Sequence, residues 1–152
     1  MTTVGSGSKA LVSVILPTRN RPDWLARSVR SVLQQTYSPV ELIVVNDGGE
    51  DVEPLLRQLD RREQVVHVRL PVALERSAAR NLGIRAARGC YIAYLDDDDW
   101  FDPTHLERLV DGIEASGAGV VYSDARRVRE ERVGDAYLAT GETELRLPEF
   151  DR

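Results

Sequence analysis

Residues 91–100 read Tyr-Ile-Ala-Tyr-Leu-Asp-Asp-Asp-Asp-Trp, so a short apolar strand ends directly in four adjacent carboxylates. Four anions at one point repel each other, which raises their pKa values unless a cation is present. An all-oxygen set of side chains at a strand end suits a hard divalent ion such as Mg²⁺ or Mn²⁺, which usually completes its coordination with water and substrate phosphates. The run therefore predicts a nucleotide-diphosphate site. The alternative is that residues 96–99 form a solvated loop leading into a helix cap.

Apolar runs alternate with amphipathic stretches along most of the chain. Strands are predicted over residues 11–16, 40–46, 64–70, 90–95 and 119–123, and helices over residues 22–35, 52–59, 75–87 and 106–113. Strands that alternate with helices predict an α/β protein with a mostly parallel central sheet and helices on both faces, resembling a Rossmann fold. Beyond Ser123 the pattern weakens, and we expect a hairpin followed by an extended tail.

Polar residues follow the predicted strands at the points where ligands of parallel sheets bind. They are residues 17–21, residues 46–49, residues 96–99, and Arg80 on the helix after the third strand. Asp47 and the two glycines after it are also an ordinary turn sequence, and Arg80 is also an ordinary solvated helix residue. In the functional interpretation, Asp47 accepts a hydrogen bond from a nucleotide base and Arg80 offers a planar fork to a phosphate.

Composition narrows the function classes. The chain has 152 residues, a net charge of −5 and a pI near 5.1, which argues against a nucleic-acid-binding surface. Glycine-rich loops of the P-loop ATPase and dinucleotide-binding dehydrogenase types are absent. Cys90, the only cysteine, is expected to be a buried, inert thiol. With no apolar run long enough for a transmembrane helix and no signal-peptide core, we expect a cytoplasmic location and leave open attachment to the inner face of a membrane.

An ordered set of motifs resembles family 2 glycosyltransferases with the GT-A fold. The motifs are Ser13-Val-Ile-Leu-Pro-Thr-Arg-Asn20, Ser31-Val-Leu-Gln-Gln-Thr-Tyr37, Glu41-Leu-Ile-Val-Val-Asn-Asp-Gly48, Ala79-Arg-Asn-Leu-Gly-Ile84 and the run from Tyr91 to Asp99. Each motif is moderately specific, and the ordered set is highly specific. The resemblance covers about residues 10–124. It implies an inverting transferase that uses a nucleotide-diphospho-sugar donor, UDP-linked, and a divalent metal, Mn²⁺ or Mg²⁺.

The resemblance also implies which residues bind the nucleotide. Pro17, Thr18 and Asn20 match the first nucleotide-contacting loop of the family. Asp47 matches the aspartate that binds the base, and Arg80 matches the arginine that reaches the donor.

The acidic run matches the Asp-x-Asp pattern of the family, with Asp96 and Asp98 in the outer positions. Asp98 is implied as the direct metal ligand, with Asp96 as the second residue at the metal and also near the donor. Asp97 is implied to face the ribose or the diphosphate. The metal would act as a Lewis acid that neutralises the departing diphosphate.

Length sets this chain apart from the family, whose later half usually builds the acceptor site and supplies the general base. Here only residues 99–152, which are 54 residues, follow Asp98. Carboxylates available in that part include Glu130, Glu131, Asp135, Glu142 and Glu144. Nothing in the motifs singles out one of them, so the general base is not assigned.

The predicted organisation has three parts. A flexible lead-in covers residues 1–9, a GT-A nucleotide-sugar-binding domain covers residues 10–124, and a partial continuation or tail covers residues 125–152, so the fold is expected to be truncated at its C-terminus. The acceptor is expected to be a saccharide, a lipid carrier or a protein. Two alternatives stay open: a non-catalytic nucleotide-sugar-binding module that needs a partner or a missing C-terminal half, and a GT-A-like nucleotidyltransferase, whose class usually has a Gly- and Lys/Arg-rich loop after the first strand.

Overall fold

The computed structural model describes residues 9–60, 64–134 and 136–146. The chain divides into two compact units, residues 1–108 and residues 109–152. Residues 1–8 of the predicted lead-in lie outside the described residues. The predicted domain boundary at residue 124 concerns the extent of the family domain and stays a prediction.

The first unit is built from strands that alternate with helices, as the sequence predicts. The elements are β1 Val12–Thr18, α1 Pro22–Leu33, β2 Val40–Asp47, α2 Glu53–Leu59, β3 Val65–Leu70, α3 Glu75–Ala86 and β4 Tyr91–Tyr94. Their strands lie in the order β3-β2-β1-β4, and every neighbouring pair is parallel. All four carboxyl ends therefore meet at one edge of the sheet. Helix α4 His105–Ser116 begins in this unit and ends in the second.

The core lies on both faces of the two central strands. Every residue of β1 and β2 is buried, which is the pattern of parallel strands covered by helices on both sides. On one face Ile43 and Val45 pack against Ala79 of α3. A Cβ added to Gly83 would lie 2.5 Å from Ile15 Cγ2, so only glycine lets α3 approach the sheet this closely. This packing brings the start of α3 to the carboxyl edge of the sheet.

Strand β1 continues past the proline at which the sequence predicts it to end. Pro17 pairs with Val45 and Thr18 pairs with Asn46. Leu95 N donates a hydrogen bond to Ile15 O, so the backbone polar groups of Ile15 face β4. Backbone direction repeats every second residue of a strand, so the nitrogen of Pro17 also faces β4. Because the β1–β4 pairing ends at Ile15, no ladder hydrogen bond is lost at Pro17. The extension carries Thr18 into the site described below.

Strand β4 is an edge strand, which explains another difference from the sequence prediction. Its side chains alternate between partly buried and exposed, unlike those of β1 and β2. Cys90, expected to be buried, is exposed at the start of this edge.

The second unit contains a hairpin but not the predicted fifth strand. Strands β5 Ala125–Val133 and β6 Ala136–Leu145 pair antiparallel, which confirms the expected hairpin. Residues 119–123 form no strand, and Val120 is 79% exposed. An apolar β-branched run becomes a strand only when a neighbouring strand pairs with it. Residues 147–152 of the expected tail lie outside the described part of the chain.

No helix in residues 9–60, 64–134 and 136–146 is long and apolar enough to cross a membrane.

Candidate functional site

A cleft of about 300 Å³ opens at the carboxyl edge of the parallel sheet. Its walls come from the ends of β1 and β2, the first turns of α3, and the loop after β4. The lining residues are Pro17, Thr18, Arg19, Arg21, Asp47, Glu75, Arg76, Ala79, Asp96, Asp97 and Asp98. Six of the eight residues predicted from the sequence, Pro17, Thr18, Asp47, Asp96, Asp97 and Asp98, therefore line one cleft. The remaining two are Asn20 and Arg80.

The acidic run forms a tight turn at the end of β4. Asp99 N donates to Asp96 O over 3.1 Å, which closes the turn. The buried hydroxyl of Ser28, on α1, lies 3.0 Å from Asp97 O and 2.6 Å from Asp99 O. The neighbouring helix therefore holds the backbone of the turn, which fixes the positions from which its carboxylates project.

Asp97 is the anchor of this turn. Its side chain is only 9% exposed, and both carboxylate oxygens accept hydrogen bonds from the protein. Thr18 Oγ1 donates to Asp97 Oδ2 over 2.8 Å, and Arg21 Nη1 donates to Asp97 Oδ1 over 3.1 Å. The charge of Asp97 raises the pKa of the Arg21 guanidinium, as does the charge of Asp98. The structure thus commits Asp97 to contacts within the chain, whereas the family resemblance implies a contact with ribose or diphosphate.

Arg80 reaches the same turn from α3. Its Nη2 donates to Asp96 Oδ1 over 2.6 Å, so the sequence-predicted arginine and the acidic run meet in space. Both side chains are about one-third exposed. A charge-assisted contact of this length positions the Asp96 carboxylate and offsets part of its charge.

Three carboxylates of the turn lie close enough to share one cation. One oxygen from each of Asp96, Asp98 and Asp99 lies within 4.8 Å of the others. Burial raises the pKa of Asp99, and the charges of Asp98, Asp96 and Asp97 raise it further. An all-oxygen donor set with this excess of negative charge fits a hard divalent ion. Sequence reasoning did not assign Asp99 to this group.

Asp47 lies at the end of β2 and organises the approach to α3. Its Oδ1 accepts a hydrogen bond from Leu74 N over 2.7 Å, although the residue also lines the cleft. Gly48, at φ +68°, sits where a Cβ would come within 2.4 Å of Ala73 N. A glycine is therefore needed at position 48 for the backbone of residues 72–74 to lie this close. Asp47 holds that segment through Leu74 N and also faces the cleft.

Asn20 stands outside the cleft lining. Its backbone is left-handed, at φ 56°, and its Oδ1 accepts a hydrogen bond from Glu50 N over 2.8 Å. Asn46 accepts from Gly49 N and donates to Glu50 O, so the two asparagines hold the loop after β2 together. The structure gives Asn20 this bracing contact, and its contact with a nucleotide stays a prediction.

Several residues that line the cleft received no individual role from the sequence. Arg19 and Arg21 belong to the loop that the sequence placed at the site, whereas Glu75 and Arg76 were not considered as site residues. Arginine and glutamate are the ordinary residues of exposed loops and helix ends, so nothing in their pattern distinguished them. The positional rule that selected residues 17–21 could also have found residues 75–76, because they open α3 at the same sheet edge.

The carboxylates considered for the general base lie in the second unit. Glu130, Glu131, Glu142 and Glu144 are on the hairpin, where Glu142 pairs with Arg126 over 3.4 Å and Glu144 with Arg146 over 3.5 Å. Asp135 lies outside the described residues. The general base therefore stays unassigned.

Comparison with known proteins identifies the family. The model of glycosyl transferase family 2 matches residues 13–151, which is most of the chain. The chain belongs to glycosyltransferase family 2.

Two curated proteins illustrate how the family 2 chain relates to longer members. The uncharacterized glycosyltransferase YwdF of Bacillus subtilis (strain 168) is 38% identical over 134 residues, which cover 83% of this chain and 46% of YwdF. An uncharacterized glycosyltransferase of Rickettsia bellii (strain RML369-C) is 39% identical over 125 residues, which cover 80% of this chain and 18% of the relative. This family 2 chain therefore spans less than half the length of either relative.

Solved structures establish the fold of the family 2 chain. S. aureus TarS 1-349 in complex with UDP matches with a TM-score of 0.62 at 22% identity, covering 68% of this chain and 32% of that one. The mannosyltransferase PcManGT from Pyrobaculum calidifontis, in complex with GDP-Man and Mn²⁺, also has a TM-score of 0.62 at 22% identity, covering 70% and 33%. At this identity the likeness shows the fold alone, which is the GT-A fold.

Proposed function

We propose that this family 2 chain binds a nucleotide-diphospho-sugar, UDP-linked, in the cleft at the sheet edge, as the donor-binding part of an inverting, metal-dependent glycosyltransferase. The observation that carries the proposal is the convergence of Asp47, Arg80 and the acidic turn from three separate elements at one edge. The complexes of TarS with UDP and of PcManGT with GDP-Man, which share the fold, support a nucleotide-diphosphate donor.

Asp47 is proposed to bind the nucleotide base. It is nearly buried, lines the cleft and accepts the Leu74 N–H through Oδ1, so its other oxygen is the acceptor offered to the base. A carboxylate fixed by a backbone N–H is preorganised, and it loses little side-chain entropy on binding a ligand. Pro17 and Thr18, on the neighbouring strand, form the adjoining wall.

The diphosphate is proposed to lie between the acidic turn and the start of α3. Arg76, in the first turn of α3, lines the cleft, and helix N-termini favour anions. Asp98 and Asp96 would hold Mn²⁺ or Mg²⁺, with Asp99 within reach of the same ion. When bound, the ion supplies Lewis-acid stabilisation of the leaving diphosphate. Arg80 fixes the Asp96 carboxylate, and Asp97 keeps the turn in place.

A non-catalytic role is the second candidate. This chain spans 46% of YwdF, and no general base is assigned, so the cleft could serve a nucleotide-sugar-binding module that works with a partner or with a further part of the protein. The two candidates share the donor site and differ in whether sugar is transferred to a saccharide, lipid or protein acceptor.

Calorimetric titration with UDP and GDP, in Mn²⁺ or in EDTA, tests the donor site. We expect UDP to bind more tightly in Mn²⁺, and Asp98→Asn to remove most of that difference. The matched control is Asp23→Asn, an exposed aspartate in the first turn of α1 that does not line the cleft. Equal affinity with and without metal would remove the metal assignment.

A separate substitution tests the proposed contact between Asp47 and the nucleotide base. Asp47→Asn keeps an acceptor for Leu74 N but loses the charge, and it should weaken UDP by about 1–3 kcal/mol while leaving the metal dependence intact. Unchanged affinity would mean that residues 47–49 are only a turn.

A further inference from the structure

Arg21 places a positive charge directly on the acidic turn. One nitrogen, Nη1, lies 3.1 Å from Asp97 Oδ1 and 2.9 Å from Asp98 Oδ2, so it bridges two adjacent carboxylates. The contact spans 76 residues of sequence and joins the loop after β1 to the loop after β4. Asp98 is the residue proposed above as the direct metal ligand.

The two halves of this bridge differ in exposure. The Asp97 side chain is 9% exposed and is held a second time by Thr18, whereas the Asp98 side chain is 52% exposed. An exposed ion pair contributes little to stability, whereas breaking a pair that has a buried partner is costly, because it leaves a buried charge without compensation. The bridge therefore has a fixed end at Asp97 and an exchangeable end at Asp98.

We propose that Arg21 is an internal counterion that a divalent cation must displace from Asp98, so that Arg21 sets the metal affinity of the acidic turn. While the cation is absent, Arg21 neutralises Asp98 and keeps the turn ordered. When the cation binds Asp98, Arg21 stays on Asp97, and its remaining charge weakens metal binding through repulsion. Arg80 occupies the corresponding place at Asp96, where its Nη2 lies 2.6 Å from Oδ1. This inference rests on the metal site of the proposed function.

The test is Mn²⁺ binding to the full chain without nucleotide, measured from the electron paramagnetic resonance signal of free Mn²⁺ at about 0.15 M salt. Arg21→Gln should lower the Mn²⁺ dissociation constant about two- to fivefold, the range expected for a half-exposed ion pair. Arg19→Gln is the matched control, because it removes the same charge from the same cleft and the same loop. Its effect should stay below about 1.5-fold, since an exposed charge that makes no ion pair with the acidic turn is screened.

Three results would overturn the inference in distinguishable ways. If Arg21→Gln binds Mn²⁺ as the wild type does, or more weakly, the metal site stands and Arg21 does not compete for it. If Arg19→Gln tightens binding equally, only the general charge of the cleft matters. If neither the wild type nor Arg21→Gln binds Mn²⁺, the metal assignment fails and this inference fails with it.

A measurement on the unmodified chain covers the case in which Arg21→Gln does not fold. Mg²⁺ is titrated into ¹⁵N-labelled wild-type protein, and the Arg21 Nε–H signal is followed by nuclear magnetic resonance. The signal should shift with the same midpoint as the backbone amides of residues 96–99. If those amides shift while Arg21 Nε–H does not, Asp98 binds the ion without releasing Arg21, and the inference is overturned.

Discussion

Asp97 and Asp98 are neighbours in sequence with opposite surroundings. Asp97 is nearly buried and is bonded by Thr18 and Arg21, whereas the Asp98 side chain is half exposed and bonded by Arg21. When a buried carboxylate loses its charge, its hydrogen-bond donors are left poorly paired. When an exposed carboxylate loses its charge, water can pair with the donors instead. The acidic turn therefore separates a residue that maintains structure from one that is available to a ligand.

Substitutions of Asp97 and Asp98 should have different effects, one on the stability of the fold and the other on metal binding. In metal-free urea unfolding, Asp97→Asn should lower the free energy of unfolding by about 1–3 kcal/mol. Asp98→Asn should change it by less than about 0.5 kcal/mol, as surface substitutions do. Asp98→Asn should instead reduce Mn²⁺ binding. Equal losses of stability in the two variants would contradict the assignment of Asp97 as the anchor.

Glu75 has a backbone conformation that glutamate rarely adopts. Its φ is +71°, in the left-handed region, at the first residue of α3 and on the cleft wall. Asn20 is also left-handed, but asparagine tolerates that region through local hydrogen bonds. The start of α3 therefore carries backbone strain beside the site.

Relief of that strain is measurable. Glu75→Gly should raise the free energy of unfolding by up to about 1 kcal/mol. The gain is the strain of the left-handed conformation that is relieved, minus the conformational entropy that glycine adds to the unfolded chain. Glu75→Ala keeps the left-handed conformation and should give no gain in the same thermal or urea unfolding experiment. A gain from Glu75→Ala as large as that from Glu75→Gly would point to the carboxylate rather than the backbone.

At the scale of elements, a buried carboxylate joins the sheet to the connection between α3 and β4. Glu41 Oε1 accepts hydrogen bonds from Ser13 Oγ over 2.6 Å and from Arg88 N over 2.7 Å, and Oε2 accepts from Arg88 Nε over 3.0 Å. Burial raises the pKa of Glu41, but these hydrogen bonds and the Arg88 charge outweigh it, and the pKa lies below its usual range. The network fixes where α3 ends and β4 begins.

The direction of this pKa shift sets the pH dependence. A carboxyl whose pKa is lower in the folded chain stabilises the fold above its unfolded pKa, and the contribution is lost as the pH falls through the folded pKa. Glu41→Gln should therefore cost about 1–3 kcal/mol at pH 7. The difference from wild type should shrink in urea unfolding below about pH 4. Glu114→Gln, at an exposed position of α4, is the control. A cost that is independent of pH would contradict the charge-based role of Glu41.

The strands and helices of the first unit were predictable from the sequence, whereas the strand predicted over residues 119–123 does not form. The apolar run of β2 and the spacing of Leu25, Val29 and Val32 in α1 gave correct elements because they report burial directly. Residues 119–123 have the same apolar character but form no strand, since a strand requires a partner that composition does not reveal.

The candidate site was partly predictable for a similar reason. Asp47 and Asp96 follow strands, and the rule for parallel sheets brings them to one edge. The contacts of Ser28 and Arg21 with the acidic turn cross more than 65 residues of sequence and depend on how α1 and its preceding loop pack. No periodicity in the chain encodes such contacts, so only the folded structure reveals them.

At the scale of the whole molecule, we expect the chain to bind the donor without transferring its sugar efficiently. The proposed donor residues lie in one unit, whereas no residue is assigned as the base that deprotonates an acceptor. A positioned base contributes about 10²–10⁴-fold, and acceptor orientation contributes more. The isolated chain should bind a nucleotide-sugar but transfer it slowly or not at all in a single-turnover assay with radiolabelled donor and sugar, lipid and peptide acceptors. Transfer at about 1–10³ s⁻¹ would point to a base within the chain.

The most direct measurement is a crystal structure of the chain grown with Mn²⁺ and UDP, with data collected at the manganese absorption edge. We predict an anomalous peak bonded to Asp98, with Asp96 or Asp99 beside it, the diphosphate on the same ion, and the uracil ring against Asp47. Arg21 should remain on Asp97 and be displaced from Asp98. Manganese bound away from the acidic turn, or UDP bound outside the cleft between β1, β2 and α3, would contradict the assignment of this edge as the donor site.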